Sequence, residues 1–160
     1  FLAAGQTVDL SDSTSNEWHI TGVQLEVGSV ATPFEHRNYR EELFNCLRYY
    51  HRTGEGASAA HGTPLAQGWA RTATLAQLTV TFPVPMREPP SAIETTGTAA
   101  DYDVSNVASG FSCDAVPTFD GAGTTQAHVY FQVSGSMTVG GGARGVTDGA
   151  GKYIAFSAEL

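Results

Sequence analysis

Apolar and polar positions alternate most clearly in two stretches of the chain. In TATLAQLTVTFPVP, Leu78, Val80 and Phe82 fall on one side and Thr79 and Thr81 on the other. In HVYFQV, Val129, Phe131 and Val133 alternate with His128, Tyr130 and Gln132. A period of two predicts strands with one buried face. Pro83 and Pro85 end the first of them, because proline has no N–H to give to a ladder. SAIETTGTA, VASGFSCDAVPTF and KYIAFSAEL read as further strands between turn residues. The last runs almost to the final residue, so that end is expected to be tied into a sheet.

The N-terminal part reads differently. TVDL predicts a short strand, and Trp18, Ile20, Val23 and Leu25 a longer one whose phase a bulge at Thr21-Gly22 restores. TPFE, with Pro after Thr and Glu three residues beyond it, is a helix-start signature. Tyr39, Leu43, Phe44, Leu47 and Tyr50 recur at helical spacing, which predicts a short helix over 38–46. LRYYHRT, rich in aromatics and Thr, favours a strand after it. GEGASAAHGTPLAQGWA is small and glycine-rich and predicts a long loop. Short strands at close spacing with glycine-rich turns indicate an all-β antiparallel β-sandwich, jelly-roll-like, with one short N-terminal helix.

Composition narrows the function classes. The 160 residues carry a formal net charge of -8 with 15% charged residues and 18 glycines. Nucleic acid would be repelled, so none is expected as a partner. No run of about 18 apolar residues occurs, so no membrane insertion is expected. The chain lacks an initiator Met and a signal-peptide pattern, and parent sequence is expected upstream of Phe1. Cys46 and Cys113 are expected to be buried, and the sequence does not decide whether they pair. The five histidines stand in no H-x-x-x-H or H-E-x-x-H frame, and neither a metal nor a cofactor is expected.

Four blocks in order, TGVQLEVGSVATPFEHR, EELFNCLRYYHR, VTFPVPMREPP and YIAFSAEL, resemble the C-terminal tip region of bacteriophage tail fibres and tailspikes, or their prophage-encoded relatives. The resemblance spans about Trp18 to Leu160. It implies a neck over 1–35 that closes an upstream sandwich domain, and a C-terminal sandwich tip over 36–160. It further implies a homotrimer assembled in the host cytoplasm, carried on the virion and used outside the cell. The apolar residues Leu2, Val8, Leu10, Trp18, Ile20, Val23 and Leu25 find little to cover them within the neck, and copies of the chain would do so.

The expected role is binding of host-surface polysaccharide or lipopolysaccharide during adsorption, without catalysis. A trimerisation or folding cap is the alternative. A glycan esterase or hydrolase ranks third, because the β-helix repeat that carries catalysis in tailspikes is missing and no G-x-S-x-G frame occurs. Trp69, in a stretch of small residues with nothing local to bury it, is the leading glycan platform. His61 and Arg71 would add hydrogen bonds near it if the loop folds back. Tyr102, flanked by Asp101 and Asp103, is a second candidate platform. On a strand those two carboxylates would share one face, suiting a cation or a glycosidase pair, although Asp in such a stretch also simply makes turns.

Overall fold

The computed structural model describes residues 19–54, 63–106 and 109–159. The chain divides into two compact units, 1–38 and 39–160. In the first, residues 19–38 form neither helix nor strand. The strand expected over 18–25 is absent among the described residues, and Trp18 and the TVDL strand lie outside them. Ile20, Val23, Leu25, Val27 and Val30 are exposed. The Glu26 carboxylate organises this segment. It accepts from the Thr32 amide at 2.6 Å and from Gln24 Nε2 at 3.0 Å. These bonds, the Thr32 hydroxyl's first, hold Glu26 below the usual carboxylate range. Thr32 is thus engaged within a loop, and TPFE does not begin a helix.

The second unit opens with α1 (Tyr39–Leu47), close to the helix expected. Ten strands follow: β1 (Tyr50–Thr53), β2 (Thr63–Ala70), β3 (Leu75–Thr81), β4 (Glu94–Thr95), β5 (Tyr102–Ser105), β6 (Gly110–Ser112), β7 (Thr118–Ala122), β8 (Gln126–Gln132), β9 (Gly142–Thr147) and β10 (Ile154–Ser157). They make a three-stranded sheet, β1-β10-β4, and a seven-stranded sheet, β6-β5-β9-β2-β3-β8-β7. Every ladder is antiparallel. The all-β sandwich with one short helix is therefore the observed architecture.

The alternation in β3 and β8 does what its period requires. Leu78 and Val80 are buried with Val129 and Phe131, while Gln77, Thr79, His128 and Tyr130 take the other face. Phe82 and Val133, just past the strand ends, continue the buried side. Three strands were not expected. The stretch read as a loop contains β2, YDVS forms β5 and GARGVT forms β9, and all three lie inside the large sheet. The small residues of β2 and β9 are a packing requirement. A Cβ on Gly68 would stand 2.1 Å from the Gln77 carbonyl, and one on Gly145 2.7 Å from Leu78 Cδ1 and 2.9 Å from Phe131 Cζ. Glycine here makes room for a neighbouring backbone or a bulky partner side chain.

The two sheets share one core. Ile154 and Phe156 of β10 are fully buried in the cluster that holds Leu78 and Phe131. Phe156 meets Phe82 edge-on, with centroids 5.4 Å apart, and Phe82 meets His51 likewise at 5.5 Å. Burial pushes His51 below its ordinary value. Tyr102 of β5 joins the sheets through its hydroxyl, which lies 2.6 Å from the Thr96 carbonyl and 2.9 Å from that of Tyr153. Both cysteines are free. Cys113 is buried, and its thiol is pushed up to about 12, chiefly by burial. Cys46 is exposed, against expectation, because α1 buries none of its residues.

Phe156→Ala removes a ring with no exposed surface from the contact between the sheets. A loss of about 3–5 kcal/mol is expected from urea unfolding. A loss below about 1 kcal/mol would mean that the small sheet contributes little to the core.

Candidate functional site

Register determines what the outer face of the large sheet carries. Across it, Gly142, Trp69, Gln77, Tyr130 and Thr118 stand side by side on β9, β2, β3, β8 and β7. A second row, about 7 Å along the strands, crosses all seven: Gly110, Ser105, Arg144, Gln67, Thr79, His128 and Gly121. Behind these rows the opposite faces of β2, β3 and β8 enter the core with Ala70, Leu78 and Val129. The outer face is therefore largely polar, with two large rings in its first row, Tyr130 and the Trp69 indole, of which the indole is 44% exposed.

Around Trp69 the polar groups are already ordered. Arg71 sits in the β2–β3 turn, where its amide donates to the Leu75 carbonyl at 2.8 Å. Its guanidinium donates to the Tyr130 hydroxyl and stands 5.5 Å from that ring's centroid. A hydrogen bond to Asp120 pushes the Tyr130 phenol up, with burial second. Gln77 Nε2 donates to Asp120 Oδ2 at 2.7 Å, and the Thr79 hydroxyl and His128 Nδ1 are 3.2 Å apart. Side chains held this way lose little freedom when a ligand arrives. On the other flank, Gly142 leaves the ring's neighbourhood open, since a Cβ there would meet nothing within 4 Å. A hollow of about 430 Å³ lies on that flank, with Gln67, Ser105, Asn106 and Arg144 on its walls. Such a surface can stack an apolar sugar face on the indole and take hydroxyls with amides and alcohols.

The residues singled out in the sequence fare differently. Trp69 is exposed as expected, but on a strand, which aims it more firmly than a loop would. Arg71 shares its face. His61 lies outside the described residues. Tyr102 is fully buried, so it is not an exposed platform; its ring packs against Phe131 and its hydroxyl serves backbone groups. Asp101 and Asp103 do not share a strand face, because Asp101 belongs to a 3-10 turn, Ala99–Asp101, ahead of β5. The Asp101 carboxylate accepts from the Thr98 amide at 2.7 Å and lies 3.3 Å from Lys152 Nζ. The Thr98 amide does most to hold it below the usual range. Asp103 is only 9% exposed. Arg87, in the VTFPVPMREPP block, stacks over Tyr49, 6.0 Å from its centroid.

Gln67, Gln77, Tyr130 and Arg144 were not anticipated as site residues. The alternation already put Tyr130 on the non-core face. Gln67 and Arg144 needed β2 and β9 to be recognised as strands. Among the described residues, no group of three or more His, Cys, Asp or Glu side chains could hold a metal ion. Comparison with family models gave no match, and neither the curated proteins nor the solved structures gave one.

Tyr102→Phe is expected to cost about 1–3 kcal/mol in urea unfolding, because the Thr96 and Tyr153 carbonyls lose the hydroxyl donor and the Thr96 amide loses one of its acceptors. Any ligand binding by the outer face should persist in this variant. Loss of binding with unchanged stability would return Tyr102 to the site.

Proposed function

We propose that this chain binds bacterial surface glycan through the outer face of its seven-stranded sheet, with Trp69 as the stacking platform. The observation that carries this reading is a single exposed indole on a polar, preordered sheet face. In that role the chain is the distal part of a phage tail fibre or tailspike, a reading supported by the four sequence blocks. Its work is recognition and adsorption, not catalysis. A single sugar contact with a Kd of about 1 mM is worth only about -4 kcal/mol. Three linked copies gain on the order of 10²–10⁴ in avidity with no new contact.

The homotrimer is part of the same proposal. α1 is nine residues long and buries none of them, and its Tyr39, Leu43 and Phe44 are exposed. A helix this short is marginal in water without packing on one face. Neighbouring copies would supply that packing. This observation also favours a second reading, a trimerisation cap whose receptor site lies elsewhere in a longer fibre.

The purified chain is expected to bind a subset of polysaccharides on a bacterial glycan array. Trp69→Ala should abolish binding with little loss of stability, since the ring is not part of the core. An intact oligomer that binds no glycan would favour the cap. The double variant Leu43→Glu, Phe44→Glu should reduce the mass from light scattering to that of one chain. An unchanged mass would remove α1 from the interface.

A further inference from the structure

We infer that the glycan bound here is acidic, and that Arg144 anchors its carboxylate in the hollow beside Trp69. This rests on the glycan reading above and specifies the sugar class. Trp69 pairs with Gly142 across β2 and β9, and Arg144 is two residues along the same strand and face. Such a diagonal separation is about 7–8 Å, within reach of a long side chain. A pyranose stacked on the indole and extending over the bare Gly142 would bring a ring substituent to the guanidinium.

The charges on this face favour an anion. The chain as a whole is acidic, at -8, so a general attraction for acidic polymers is missing. Recognition of one must come from a local cation. Arg71 is already committed to Tyr130. The Arg144 side chain is exposed and makes no hydrogen bond or ion pair with the described residues. It stands between the first hollow and a second of about 380 Å³, and lines both. The carboxylates of the face are largely withdrawn: Asp120 is bonded to Gln77, and Asp103, which lines the second hollow, is almost covered. Gln67 and Ser105 flank Arg144 on the adjacent strands and add neutral partners. A planar guanidinium with a free fork matches a carboxylate in two parallel hydrogen bonds, geometry that a lone ammonium does not offer.

The test uses an array of bacterial capsular polysaccharides, each acidic one printed beside its carboxyl-reduced form, with phosphate-bearing polymers as a third arm. Wild-type protein should bind uronate-type polymers and lose roughly 10- to 100-fold on carboxyl reduction, the scale of one charge-assisted contact. Arg144→Gln should lose the same factor on the acidic polymers and nothing on their reduced forms. Arg144→Lys should recover part of it, and thermal melting should be unchanged in both. Equal binding of acidic and reduced polymers, unaffected by Arg144→Gln, would overturn the inference and leave the glycan face standing. Preference for the phosphate-bearing polymers would overturn the carboxylate assignment. No binding on any arm would remove the glycan reading itself, and this inference with it.

Discussion

The period-two constraint of a strand governs both the core and the candidate site. Leu78, Val129 and Phe131 must face inward to build the core. Their strands then have no choice about the intervening positions: Gln77, His128 and Tyr130 are delivered to the opposite face. β2 is held between β3 and β9 in the same register, so burying Ala70 turns Trp69 outward. A slip of one residue would carry the indole into the core and destroy both surfaces at once. The polar face is thus a consequence of the apolar one.

What was legible in the sequence follows from that constraint. β3 and β8 announce themselves because both use large apolar residues on the buried side. β2 and β9 do not, because their own contributions to the core are small. Gly145 sits against Leu78 and Phe131, where a methyl group would collide. Gly68 lies against the backbone of β3. A composition that normally marks loops here marks the middle of a sheet, since bulk on one strand demands its absence on the next. The same blindness hid Gln67 and Arg144, which become neighbours of Trp69 only through the β2–β9 ladder.

Tyr102 and Asp101 illustrate the converse. An aromatic between two acids looks exposed when read along the chain. In three dimensions the tyrosine ring fills the core and its hydroxyl ties the large sheet to the Thr96 and Tyr153 backbone at the strand ends of the small one. The adjacent Asp101 closes a turn with Thr98 and Lys152. Both are structural, and the polar character of the stretch reflects the join between sheets. The exposed apolar residues at 20–30 and on α1 are a different matter, because they keep much of their surface open within their own units. That open apolar surface is what supports the proposed oligomer.

The central claim is that the outer face of the seven-stranded sheet meets the ligand. Heteronuclear NMR of the labelled chain, titrated with oligosaccharides prepared from a polysaccharide it binds, tests this most directly. The account predicts that the Trp69 indole N–H and the amides of β9, β2 and β3 shift together, while those of α1 and β10 stay fixed. Shifts confined to α1 or the small sheet, with the Trp69 indole unmoved, would contradict it.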